Sequence, residues 1–117
     1  MIESGVASAY QEPTDLQLIP EMAAAAPTEA TAFFAFNAAA ERGGGTVPTK
    51  YRELISLAVA LTTQCSYCLD VHTRRALTAG ATREELAETT FVAAAVRAGA
   101  TLGHGLLIQK IANSIDK

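Results

Sequence analysis

Alanine-rich segments separated by proline and glycine are the feature that most restricts how this chain can fold. Alanine is the best intrinsic helix former, and proline near the start of a segment presets a helical backbone angle. Pro27 opens one such segment, and Gly43, Gly44 and Gly45 end it because three glycines cannot be held cheaply in a helix. No strand–helix–strand alternation is visible. The sequence therefore predicts an all-α fold.

The same signals divide the chain into about six helices. Thr82 and Glu85 fit a capping box, which predicts a helix start. We expect a single compact domain over residues 1–117, with its core at about 14–115, and a radius of gyration of about 13–14 Å. The first predicted element is a short helical turn from Thr14 that is interrupted at Pro20. Helices are then predicted over residues 28–41 and 51–61, the second with Thr46 or Thr49 as its cap. The last three are a cysteine-bearing helix that ends at Gly80, a helix from Thr82 to about Gly99, and a helix over residues 102–115.

The charge content favours self-association and argues against nucleic acid as a partner. Only 18% of the residues are charged, against roughly 25% in an average domain. A small domain with so few charges has difficulty covering its surface with polar groups, so we expect an oligomer that hides an apolar face. The net charge is −3, and no cluster of Lys and Arg is present.

The sequence indicates a cytoplasmic protein with no membrane association. Residues 1–5 have neither the basic nor the apolar region of an export signal. The longest apolar stretch, residues 54–61, is far short of the ~18–20 residues needed to span a bilayer. A lone pair of cysteines is typical of a reducing compartment rather than of a secreted disulfide scaffold.

Two cysteines and one histidine are the candidate reactive groups. Cys65 and Cys68 are the only cysteines, and His72 follows four residues later. Residues at these spacings share one face of a helix. The first turn of a helix favours thiolate, and an adjacent imidazole can accept the proton. Such a thiolate can attack a peroxide to give a sulfenic acid that the second cysteine converts to a disulfide, or it can attack an external disulfide.

Three other interpretations of these residues are open. Both cysteines can be small buried apolar residues. They can bind zinc with His72 in a non-catalytic module, with His104 or Glu53 as the fourth ligand. A decarboxylase-like enzyme can act through His72 or His104 with the cysteines incidental. His104, between Gly103 and Gly105, is interpreted as a helix-start or loop histidine and as a reserve ligand or acid–base group.

Glu53 is the unusual residue of its largely apolar segment. It can lie at a helix edge, solvated or paired with Lys50 or Arg52. It can instead be a carboxylate aimed at the cysteine helix, where it would orient an imidazole or take a proton. Tyr67, next to the second cysteine, is either a hydrogen-bond donor or a packing residue.

The combined pattern resembles the carboxymuconolactone decarboxylase superfamily, in particular its alkylhydroperoxidase D-like branch. The pattern consists of Glu53, Cys65-x-x-Cys68-x-x-x-His72 and the segment 74–85, and the similarity covers about residues 47–92. The resemblance implies an all-helical fold that assembles as a homotrimer or homohexamer. It also implies a thiol-dependent peroxidase or disulfide oxidoreductase that acts on hydroperoxide or disulfide substrates.

The resemblance also assigns roles to single residues. By position, Cys68 corresponds to the attacking thiol, Cys65 to its resolving partner, and Glu53 and His72 to the proton relay. It implies re-reduction by a lipoylated or thioredoxin-like dithiol protein, without a metal or other cofactor. Relatives with the best-known relay have a histidine directly before the second cysteine, where this chain has Tyr67. Members that decarboxylate a lactone lack the cysteine pair.

Overall fold

Every regular element in the described part of the chain is helical. The computed structural model describes residues 10–115, so the prediction for residues 1–5 lies outside the described residues. The all-α prediction is confirmed, with five α-helices and one short 3-10 helix against about six expected. In chain order the elements are the 3-10 helix Pro13–Leu18, α1 (Ile19–Ala25), α2 (Pro27–Ala40), α3 (Thr49–Thr63), α4 (Ser66–Thr78) and α5 (Arg83–Ile115).

The turns on either side of α4 form as the sequence predicts. Gln64 adopts a left-handed conformation (φ 58°) that separates α3 from α4. Gly80 has φ 98°, a conformation that favours glycine, and follows the end of α4. The capping box is confirmed, because the Glu85 N–H donates to Thr82 Oγ1 at 3.0 Å and the Thr82 N–H donates to Glu85 Oε1 at 2.9 Å.

Two predicted helix boundaries are wrong. The residue at the N-cap of α3 is Pro48 rather than Thr46 or Thr49, because its extended backbone (φ −58°, ψ 151°) leads directly into the helix. The predicted stop near Gly99 does not occur, and α5 is one helix of 33 residues. A lone glycine costs a helix only about 1 kcal/mol relative to alanine, and no proline follows it to end the helix.

The core lies where α3 packs against α4 and α5. Leu57, Ala76 and Ala81 are buried there, and Ala76 has no exposed surface. At the edge of this contact, Lys50 of α3 donates to Glu85 of α5 at 3.0 Å. That hydrogen bond raises the pKa of Lys50 from its usual value. Partly buried leucines complete the cluster: Leu54, Leu69 and Leu86.

Large apolar side chains remain exposed on α2 and along α5. Phe91 is 75% exposed and Leu102 is 74% exposed. The radius of gyration is 19.5 Å, above the expected 13–14 Å, because these helices extend away from the small α3–α4–α5 core. The exposed apolar residues of these two helices are Phe33, Phe34, Phe36, Phe91, Val92, Val96, Leu102, Leu106, Leu107, Ile108, Ile111 and Ile115.

By length and composition alone, α5 could cross a membrane. The prediction from the sequence considered only continuous apolar stretches, and in α5 the apolar residues are interrupted by glycines and by polar residues such as Arg97, His104 and Gln109. A helix whose apolar side is covered by another protein chain has the same length and composition, so this single helix is weak evidence for a membrane span.

Candidate active site

The two cysteines are joined at the start of α4. Cys65 is the N-cap residue and Cys68 lies in the first turn, and they form a disulfide with a Cα–Cα distance of 5.3 Å. The Cys68 N–H donates to Cys65 Sγ at 3.3 Å, so the sulfur also serves as the helix cap. This arrangement favours a dithiol/disulfide couple over two separately buried cysteines.

His72 and Glu53 form a buried pair between α4 and α3. The His72 Nδ1 atom lies 2.6 Å from Glu53 Oε1, and the two residues are 9% and 5% exposed. Since a carboxylate oxygen can only accept, Nδ1 carries the donated proton and Nε2 is left for other chemistry. The structure therefore supports the interpretation in which Glu53 orients an imidazole.

The alternative partners of Glu53 are engaged elsewhere. Lys50 pairs with Glu85, as described above. Arg52 donates to the backbone carbonyls of Val47 at 2.9 Å and Ala40 at 2.6 Å. The side chain of Glu53 consequently points to α4 rather than to a neighbouring cation on its own helix.

A cavity of about 650 Å³ brings the candidate residues together. Glu53, Cys68 and His72 all line it, whereas Cys65 is not part of its wall. The remaining wall is mostly apolar, so a bound molecule would meet the Cys68 sulfur beside an imidazole and a carboxylate in largely apolar surroundings. Its apolar residues are Phe36, Ala40, Val47, Ile55, Val59 and Ala60.

Sequence reasoning assigned no role to Glu41 and Arg75, a charged pair of which Glu41 approaches His72. Glu41, at the end of α2, places its Oε2 atom 3.8 Å from His72 Nε2. Its other oxygen, Oε1, accepts a 2.6 Å hydrogen bond from Arg75 of α4. Glu41 has no sequence signal beyond being a charged residue at a helix end, and Arg75 was noted only as part of the segment 74–85. Their contact could not be predicted, since it depends on where α2 ends relative to α4.

Tyr67 points away from this cavity. Its hydroxyl donates to Asp15 in the 3-10 helix at 2.7 Å. This hydrogen bond lowers the pKa of Asp15 and raises the pKa of Tyr67. Tyr67 is thus a hydrogen-bond donor that ties the N-terminal segment to α4.

His104 is not part of the cysteine site. The prediction of a helix-start or loop position is wrong, because α5 is continuous through it. His104 lines a different cavity along α5, together with Arg97. Within residues 10–115, no group of three or more His, Cys, Asp or Glu side chains is arranged to hold a metal ion.

Fold and site together define a class: an all-α protein with a CxxC disulfide at a helix start, beside a buried glutamate–histidine pair. The chain belongs to the carboxymuconolactone decarboxylase family, whose family model matches residues 21–110. The cysteine pattern is consistent with the alkylhydroperoxidase D-like branch.

Among the proteins similar to parts of this chain are a curated protein and a solved structure. One is "Uncharacterized protein 4 in cox locus" of Paracoccus denitrificans, 38% identical over 72 residues that make up 62% of this chain and 65% of that protein. The match therefore spans slightly less than two thirds of that relative. The other is the crystal structure of apo-lpg0406, a carboxymuconolactone decarboxylase family protein from Legionella pneumophila. It is 31% identical with a TM-score of 0.63, and the match covers 69% of this chain and 71% of that one.

Proposed function

We propose that this protein is a thiol-dependent peroxidase and disulfide oxidoreductase that reduces hydroperoxides through Cys68 and Cys65. The observation that carries the proposal is that Cys68, but not its disulfide partner Cys65, lines the cavity with His72 and Glu53. An attacking thiol needs access to substrate and a base nearby, whereas its resolving partner needs only access to the attacking sulfur.

The proposed reaction starts from the reduced pair. The Cys68 thiol gives its proton to His72 Nε2 while Glu53 accepts the hydrogen bond from Nδ1. The thiolate attacks one peroxide oxygen, the O–O bond breaks, and the alcohol or water leaves with the proton from the imidazolium. Cys68 is then a sulfenic acid. The Cys65 thiol attacks that sulfur, releasing water and forming the disulfide.

Turnover requires a dithiol that returns two electrons and two protons to the Cys65–Cys68 disulfide. We propose a lipoylated or thioredoxin-like protein as this reductant, because thiol–disulfide exchange needs only an accessible attacking thiolate. A reducing, cytoplasmic location fits this chemistry. The exposed apolar side chains of α2 and α5 support self-association, since such a surface is unusual on a monomer, and the family resemblance makes a homotrimer or homohexamer the expected assembly.

Mass spectrometry of the reduced protein after stoichiometric hydroperoxide tests the proposal. Wild type should lose two hydrogens, and Cys65→Ser should accumulate a sulfenic acid at Cys68. Cys68→Ser serves as the matched control and should leave Cys65 unmodified under the same conditions. The proposal fails if both thiols of wild type stay reduced at millimolar peroxide.

A decarboxylase-like reaction through His72 is the second candidate, because the family name includes that activity. A Cys65/Cys68 double serine variant separates the two functions. It should lose all peroxide consumption if the dithiol carries the reaction, and it should retain lactone decarboxylation if the histidine does.

A further inference from the structure

We infer that Glu41 is a positioning residue for the Cys68 thiol, acting through His72. The inference deepens the proposed function and rests on it, because it assumes that the thiol gives its proton to His72. Glu41 belongs to neither the Cys65–Cys68 motif nor the Glu53–His72 pair, and it lies twelve residues before Glu53, at the end of another helix.

The imidazole of His72 stands between two carboxylates. Glu53 occupies its Nδ1 side at 2.6 Å, and Glu41 faces its Nε2 side at 3.8 Å. The second distance is too long for a direct hydrogen bond but short enough for a strong charge–charge interaction. Nε2 is also the nitrogen left free to take the thiol proton. Glu41 therefore faces Nε2, the atom of His72 that gains a proton in the proposed reaction.

Arg75 fixes the Glu41 carboxylate in this place. Its Nη1 atom donates to Glu41 Oε1 at 2.6 Å, which leaves Oε2 directed at His72. Glu41 is only 25% exposed, so its interaction with the imidazole is less screened than that of a fully solvated pair. With a neutral imidazole, the carboxylates on its two sides are offset only by Arg75, which pairs with Glu41, and an imidazolium adds a second cation in direct contact with them.

The consequence concerns the first step of the reaction. Proton transfer from Cys68 Sγ to His72 Nε2 converts a thiol and an imidazole into a thiolate and an imidazolium, with no electron transfer. Glu41 stabilises the imidazolium product and takes no proton itself. Besides the carboxylates of α2 and α3, the charged group on the cavity wall is Arg52, whose guanidinium is held by backbone carbonyls.

The test measures thiol reactivity without peroxide. In a reduced Cys65→Ser background, Cys68 is alkylated by iodoacetamide near pH 7 and near pH 10. Glu41→Gln keeps the size of the side chain and removes its charge, and it should slow alkylation about tenfold near pH 7. Near pH 10, where the thiol ionises without help, the two rates should agree within about twofold. Glu29→Gln, an exposed glutamate in the first turn of the same helix, is the matched control and should change neither rate.

Arg75→Gln provides the second variant. It should slow alkylation near pH 7 at least threefold alone, and it should have no further effect in the Glu41→Gln protein, because it acts through Glu41. If circular dichroism shows that Glu41→Gln does not fold, the alkylation rate of the single Arg75→Gln variant near pH 7 decides whether the inference holds. The inference is overturned if the folded variants react within twofold of the parent near pH 7, react faster, or are slowed equally at both pH values.

Failure of this inference and failure of the proposed function give different results. If the protein consumes no hydroperoxide but Glu41→Gln still slows alkylation near pH 7 only, the peroxidase proposal is wrong and the role of Glu41 holds. If hydroperoxide turnover is present and alkylation is insensitive to Glu41→Gln, only the role of Glu41 is wrong.

Discussion

The buried Glu53–His72 pair should stabilise the fold. The two atoms are 2.6 Å apart, and the side chains are 7% and 11% exposed. A hydrogen bond to a charged group contributes about 1.5–3 kcal/mol net, and we expect this coupling energy between the two residues.

A double-mutant cycle measures that coupling. The four proteins are wild type, Glu53→Ala, His72→Ala and the double variant, unfolded in urea and followed by circular dichroism. Protein concentration must be fixed, because subunit association adds to the apparent stability. The Lys50–Glu85 pair is the control: its atoms are 3.0 Å apart, but its side chains are 27% and 34% exposed, so its coupling should be smaller. A coupling below about 0.5 kcal/mol for Glu53–His72 would refute the claim that burial strengthens this pair.

Three further predictions follow from other parts of the fold. Ala76→Leu should reduce the free energy of unfolding in urea by about 1–3 kcal/mol, because this alanine of α4 is fully buried against Leu57 of α3 and Ala81, where extra methylenes have no space. Asp15 should titrate below its usual pKa of 3.8 by carboxyl ¹³C NMR and return towards that value in Tyr67→Phe, since the Tyr67 hydroxyl lowers the pKa of Asp15 and raises that of Tyr67. The N-terminal contact is therefore strongest between the two folded-state pKa values, and it is lost as pH falls through that of Asp15 or rises through that of Tyr67. Leu106→Lys, on the exposed apolar side of α5, should lower the molar mass measured by light scattering, and an unchanged mass would exclude that side as the subunit contact.

Local signals predicted most of the helices, the end of α4 and the start of α5. The capping box of Thr82 and Glu85 and the left-handed Gly80 depend on neighbours within a few residues, so they can be recognised in the sequence alone. The continuity of α5 through Gly99 could not be recognised in the sequence, because a single glycine is a weak helix-stop signal whose effect depends on the residues around it.

The residues of the candidate site also differ in how well the sequence alone predicted them. Cys65, Cys68 and His72 lie within one helical stretch, so their spacing already indicates a common face. Glu53 was noticeable as a carboxylate in an apolar segment, and its contact with His72 was one of two open interpretations. Glu41 gave no local signal, since a glutamate at a helix end is usually solvated and only the path of the chain after α2 brings it to the imidazole. Whether the predicted site residues carry catalysis stays a prediction.

The cavity has two walls of unequal local stability. The chemical groups Cys68, His72 and Glu53 belong to α3 and α4, which share the buried core. The opposite wall includes Phe36 and Glu41 of α2 and its C-cap, a helix with no buried residue that is followed by three glycines. Since opening free energies follow buried contacts, α2 should exchange its amide hydrogens well before α3 and α4 do. Displacement of this one helix would open the cavity while Cys68 and His72, both on α4, keep their spacing.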